Sequence, residues 1–107
     1  MFARHVSMHL KSSNITEFTR TLENEVIPLL RKQRGFRDEI TFVTPGGGEV
    51  IGISLWDNKE SADAYNRGSY PEVLKALSKV IEGTPQVRHL EVSNSTFHNI
   101  AARAASF

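Results

Sequence analysis

Residues 50–77 read VIGISLWDNKESADAYNRGSYPEVLKAL, and the changes of period along this stretch decide the fold. From Val50 to Trp56 apolar and small residues run almost without a break, the pattern of a short strand buried on both faces, ending in the only tryptophan. Asp57, with Glu60 three residues later, has the spacing of a capping box and predicts a helix carrying Ala62, Ala64 and Tyr65. Gly68 breaks that helix. Ser69 then caps, and Pro71 opens, a second helical segment carrying Val73, Leu74, Leu77, Val80 and Ile81. A strand that passes directly into a two-part helix gathers Trp56, Tyr65 and Tyr70 near one end of a sheet, where a small flat ligand can be held.

Working outward, Phe2 to Leu10 alternates, with Phe2, Val6, Met8 and Leu10 on one side and Ala3, His5, Ser7 and His9 on the other, a period of two that marks a strand. Asn14 and Glu17 start a helix, in which Ile15, Phe18, Leu22, Val26, Leu29 and Leu30 form the apolar stripe. Pro28 predicts a kink or a tightened turn. Arg31, Lys32 and Arg34 followed by Gly35 suit a helix C-terminus. Phe36 to Thr44 reads as a second strand with Phe36, Ile40 and Phe42 on one face. Pro45-Gly46-Gly47-Gly48 turns it into the strand that ends at Trp56. Gly83-Thr84-Pro85 is expected to stop the last helix, and Val87 to Val92 to form a fourth strand. The order strand, helix, strand, strand, helix, strand is that of an α+β, ferredoxin-like βαββαβ fold with a four-stranded antiparallel sheet. Residues 1–95 form this domain, and 96–107 a tail.

The chain has 107 residues, enough for one domain with a core. Thirteen basic against twelve acidic side chains give a net charge of +1, which offers no electrostatic case for nucleic acid or an acidic membrane. The absence of cysteine excludes disulfides, thiolate metal sites and cysteine nucleophiles. MFARHVSMHL lacks the apolar core of a signal peptide, and no apolar run reaches the roughly 20 residues that span a bilayer. A cytoplasmic protein is expected.

Both helices belong on one face of this sheet, so the other face should be polar. The third strand is instead apolar on one side and small or apolar on the other. A second sheet from another copy would cover it, making a homodimer, with Phe97 and Ile100 of the tail packing across the seam.

Candidate chemistry is sparse. His5 and His9 lie about 13 Å apart along a strand at roughly 3.3 Å per residue, too far to share a metal at Zn–N distances of about 2 Å. A pair of either with His89 of the neighbouring strand is open, but lacks a nearby carboxylate, so no metal site is assigned. His98 reads as a surface or interface residue. Asp38 and Glu39 are adjacent in a strand and point to opposite faces, so they do not act as a pair. Arg4, on the parity of Val6, reads either as a contact for an anionic substrate or phenolate, or as half of a surface ion pair. The glycine turn joins two strands and does not open a helix, which weakens a phosphate reading. No nucleophile elbow is present.

The element order, the segment GFRDEITFV followed by a glycine turn, and ISLWDNKESADAY together resemble the antibiotic biosynthesis monooxygenase family of the dimeric α+β barrels, over nearly the whole chain. The resemblance implies oxygen chemistry on quinol-like or anthrone-like aromatics, with no metal or flavin cofactor because the substrate supplies the electrons. It implies a pocket between sheet and helices, for which Trp56, Tyr65, Tyr70, Val6, Phe42 and Leu74 are the candidate substrate contacts. Each of the three aromatics has core packing as its alternative role. The alternative function is a non-catalytic, small-molecule-binding dimer of the same fold. A haem-degrading branch of the family is the less favoured match, because its first-strand asparagine falls near Val6 here and its haem-ligating histidine at Lys75.

Overall fold

The computed structural model describes residues 1–97. The chain runs β1 (Phe2–Leu10), α1 (Ile15–Thr21), a π turn (Leu22–Val26), α2 (Ile27–Arg31), β2 (Phe36–Val43), β3 (Glu49–Trp56), α3 (Lys59–Arg67), α4 (Tyr70–Leu77) and β4 (Ile81–Glu91). The four strands form one antiparallel sheet in the order β2-β3-β1-β4, as the sequence predicted. The helices pack on one face of it, and Trp56, Phe18 and Val50 are among the side chains sealed between the layers. No helix among the described residues is long and apolar enough to cross a membrane.

The first helix shows how sequence spacing sets backbone geometry. Phe18, Leu22, Val26 and Leu30 recur every four residues. On a straight α-helix, at about 100° per residue, each such step drifts by about 40°, which would leave Phe18 and Leu30 about 120° apart. The π turn absorbs one residue, with Ile27 N–H bonded to Leu22 C=O, and Phe18, Val26 and Leu30 all end up buried. Pro28, lacking an N–H and crowding the carbonyls before it, sits in the first turn of α2, where both defects are tolerated. The helix is therefore widened at the proline, and not tightened.

Three further boundaries differ from expectation. The cap of α3 is Asn58, whose Oδ1 accepts from Ser61 N at 2.9 Å. Asp57 instead pairs with Arg37. At the end of the second helical pair, α4 stops at Leu77, and Val80 and Ile81 belong to the turn and to β4. Gly83-Thr84-Pro85 lies within β4, at the register shift against Ser7 and His9, with Gly83 at a φ of 67°. A bulge on an edge strand is where a sheet accepts proline. In β2, a register shift between Phe36 and Asp38 turns Phe36 toward the helices, so it does not share a face with Ile40 and Phe42.

Two turns hold the layers in register. Thr44 N–H bonds to Glu49 C=O at 2.9 Å across the glycine turn, where Gly46 and Gly47 have φ of 97° and 78°. Gly35, at φ 81°, passes so close to α3 that an added Cβ would fall 2.2 Å from Ser61 Oγ.

The second face of the sheet carries Ile40 and Phe42 of β2, Ile51, Ile53 and Leu55 of β3, and Leu90 of β4. Phe42 is 50 % exposed and Phe97, beside this face, 80 % exposed. The expected tail residues His98 and Ile100 lie outside the described residues.

Candidate functional site

Strand register assembles the site. The pairs Arg4↔His89, Arg4↔Ser54 and Glu39↔Ser54 set His89, Arg4, Ser54 and Glu39 in one polar row across all four strands, on the face that the helices cover. The next row is Val87, Val6, Gly52 and Thr41. Gly52, with no side chain, leaves a notch between Val6 and Thr41, and the Glu39 carboxylate lies 3.9 Å from where its Cβ would stand.

Over these rows lies a cavity of about 50 Å³. Its floor is Arg4, Val6, Met8, Glu39, Thr41, Gly52 and Ser54, and its walls come from Phe18, Leu22, Val26 and Leu30 of the first helix and from Tyr65, Tyr70, Val73 and Leu77 of the second pair. The volume suits a few waters and is smaller than the roughly 300 Å³ of the smallest usual ligand pockets. A ring enters only by displacing side chains. Met8, unbranched and with three rotatable bonds, is well suited to give way.

The aromatic residues form a continuous stack. Phe36 meets Trp56 edge-on at 5.5 Å, Trp56 stacks on Tyr65 at 4.9 Å and 28°, and Tyr65 leans on Tyr70 at 5.8 Å. Trp56 is fully buried and its indole N–H donates to Ser54 Oγ at 2.9 Å. It stands behind Tyr65 and outside the cavity lining, so the core-anchoring alternative describes it. Tyr65 and Tyr70 do reach the cavity, as does Val6. Phe42 and Leu74 do not. Phe42 belongs to the opposite face of the sheet, because β2 changes parity at its bulge. Leu74 faces a separate surface hollow with Ile81 and Pro85, since α4 turns its Val73 and Leu77 stripe to the cavity.

Arg4 is the main addition. It is only 2 % exposed, and its guanidinium lies 4.2 Å from the centre of the Tyr70 ring and 4.9 Å from that of Tyr65. One Nη donates to Asn66 Oδ1 at 2.8 Å. Burial pushes the Tyr65 phenol up to about 12, with the Arg4 charge pulling back in part. Tyr70 is raised by burial too, against the Arg4 charge and a hydrogen bond from the Arg4 guanidinium. Both phenols are therefore neutral donors near neutral pH. Glu39 also titrates above the usual carboxylate range: burial raises it, the Thr41 hydroxyl donating to it offsets part, and the Asp38 charge adds to the rise. The signal for these residues was in the sequence. Arg4, Glu39, Thr41 and Ser54 are polar residues on the strand faces that also carry Val6, Met8, Val50 and Trp56. Placing Glu39 required knowing where β2 changes face.

The histidines separate. His5 and His9 lie on the uncovered face, while His89 shares the covered face with Arg4, 3.9 Å from Asp63 and edge-on to Phe2 at 5.8 Å. The open pairing of His89 with His5 or His9 is thus overturned, because antiparallel register sets Arg4, not His5, opposite His89. Among the described residues no group of three or more His, Asp or Glu is placed to hold a metal ion.

No protein-family model matches the chain, and no curated protein matches it in sequence. Solved structures do. A monooxygenase of Streptomyces coelicolor, the product of ActVA-Orf6, in complex with nanaomycin D, is 18 % identical with a TM-score of 0.70, covering 88 % of each chain. SnoaB of Streptomyces nogalater, a cofactor-independent oxygenase, is 12 % identical with a TM-score of 0.64, over 89 % of this chain and 95 % of its own. A candidate antibiotic biosynthesis monooxygenase of Bordetella bronchiseptica is 15 % identical with a TM-score of 0.72, over 85 % and 95 %. The chain therefore has the fold of the antibiotic biosynthesis monooxygenase structures, as the resemblance in its sequence implied.

Proposed function

We propose that the protein is a monooxygenase that oxidises a small quinol-like or anthrone-like aromatic with O₂, and that it works as a homodimer joined through the uncovered face of the sheet. The observation that supports this reading is the cavity itself: apolar and aromatic walls surround a space reached by one carboxylate, Glu39, that burial holds partly toward its protonated form. A base tuned upward in this way is better matched to taking a proton near neutrality than an ordinary carboxylate is. The Tyr65 and Tyr70 rings orient a planar substrate and exclude water from it.

The proposed sequence balances with O₂ as the oxidant. On an anthrone-like ring, Glu39 accepts the acidic C–H proton. The resulting anion passes one electron to O₂, and the ring radical and superoxide join in a new C–O bond. The hydroperoxide formed on protonation loses water as the O–O bond breaks and the second C–H proton leaves. One oxygen atom ends in the product carbonyl and the other in water.

The close ring stack of Trp56, Tyr65 and Tyr70 favours a second reading, a dimeric module that binds an aromatic ligand without chemistry. Oxygen uptake with hydroquinones, anthrones and flavonols separates the two. Saturable uptake that needs folded protein and falls at least about tenfold in Glu39→Gln is the expected result. Uptake equal to that of heat-treated protein, with ligand binding retained, would leave the binding module.

A further inference from the structure

Arg4 is a buried cation for which the described residues offer no anion. The ion pairs among them involve Arg20, Arg37, Lys59, Lys79 and His89, and the polar side chains close to the guanidinium are neutral: the Asn66 amide, which accepts from it, and the Tyr70 hydroxyl. Glu39 stands in the same row but two strands away, roughly 10 Å at about 4.8 Å per strand. Taking a guanidinium out of water is costly unless charge and hydrogen bonds replace the water. The Tyr65 and Tyr70 ring faces and one amide replace part of it. Two donors of the same cavity are left over: the Arg4 guanidinium lies beside the Tyr70 hydroxyl, yet neither Arg4 Nε–H nor the Tyr70 O–H, both buried, has an acceptor in hydrogen-bonding geometry. Tyr70 is 9 % exposed, so neither group is served by bulk solvent.

We propose that Arg4 Nε and Tyr70 Oη form a subsite for one anionic oxygen carried on a planar ring, so that the cavity takes phenolates and ring enolates in preference to neutral rings. A charged donor and a neutral phenol directed at one oxyanion make the short, strong class of hydrogen bond. Asn66, which accepts from Nη2, is a positioning residue that leaves Nε for the ligand. The inference rests on the reading of this cavity as a ring site and adds what that reading lacks, the charge of the ligand. An anthrone that has lost its C–H proton carries its negative charge on the ring oxygen, and this is the atom the subsite would hold.

The test uses p-nitrophenol, whose anion is coloured, and p-nitroanisole, the same ring with its oxygen methylated and uncharged. The protein should bind p-nitrophenolate roughly tenfold or more tightly than p-nitroanisole, and bound p-nitrophenol should ionise at lower pH than the free phenol, read from the visible band. Tyr70→Phe keeps the ring and removes only the hydroxyl, and should cut the preference several-fold. Arg4→Met should abolish both the preference and the spectral shift, with Arg4→Lys between, and circular dichroism identifies any variant that has not folded. Equal binding of phenolate and ether by the unaltered protein overturns the proposal. So does a preference that survives unchanged in folded Tyr70→Phe and Arg4→Met. Oxygen uptake is read separately. Uptake without an anion preference sinks this subsite alone, an anion preference without uptake sinks only the oxidation, and binding of neither probe overturns both.

Discussion

Each of the two faces of the sheet departs from the usual rule. The covered face, where apolar side chains belong, carries a polar row with a buried arginine at its centre. The other face, which a single helical layer leaves to water, carries Ile40, Phe42, Ile53 and Leu90. Each departure costs free energy in the isolated chain: the first through desolvated charge, the second through apolar surface left in water. Departures of this size point to something that each face meets in use. In the function proposed above, the covered face meets a ligand and the other a second copy of the chain.

The largest expected effect lies on the covered face. Trp56→Ala removes a fully buried ring that packs on Phe36 and Tyr65 and donates to Ser54, and should lower the unfolding free energy by about 3–5 kcal/mol, read by chemical denaturation. A loss below about 1 kcal/mol would mean that the stack is not a structural anchor, and would return Trp56 to the list of ligand contacts.

Next comes the uncovered face. Ile53→Lys places a charge at the centre of the apolar stripe and should convert the proposed dimer to monomer in sedimentation, while changing the stability of the monomer itself by no more than about 0.5 kcal/mol. An unaltered protein that sediments as a monomer at every concentration would overturn this assignment, because the apolar stripe would then have no partner of its own kind.

The smallest effect sharpens the contrast between Glu39 and an ordinary surface carboxylate. Burial raises its pKa in the folded chain above the ordinary 4.5, so the folded state holds its proton more tightly than the unfolded state does. Stability from this group is fully present below 4.5 and is lost as pH rises through the higher folded value. Glu39→Gln should flatten that part of the stability–pH curve, measured as the midpoint of thermal unfolding across mildly acidic pH. An unchanged slope would show that Glu39 is solvated like its neighbours, and would remove it as the base.

Much of this architecture could be read from period alone. Alternation in β1, the Pro-Gly-Gly-Gly reversal and the Ser69-Tyr70-Pro71 restart all sit where local rules put them, because each is decided within a few residues. The errors share a cause in features that only pairing reveals. The bulge after Phe36 changes which residues of β2 face the helices, so alternation counted from Phe36 puts Phe42 on the cavity side, where Glu39 and Thr41 stand instead. Gly83-Thr84-Pro85 has the composition of a helix stop, yet an edge-strand bulge uses the same residues. Tyr65 and Tyr70, which line the cavity, stand out in the sequence as the aromatics of the two helical segments. Arg4 was seen but left undecided, since burial of a charge is settled by the helix that lies over it and not by its own strand.

Counted in chain length, the π turn between Leu22 and Val26 is a surplus of one residue. A chain lacking one residue there would regain a plain α-helix and still place Phe18 and Leu30 within about 20° of each other. The same loss in α3 or α4 would rotate Tyr65 or Tyr70 away by about 100°. Relatives of this protein should therefore vary in length at this point and hold it fixed elsewhere in the helical layer. Through single-residue insertions and deletions here, the fold can reshape one wall of its cavity while the strands, the polar row and the arginine stay where they are.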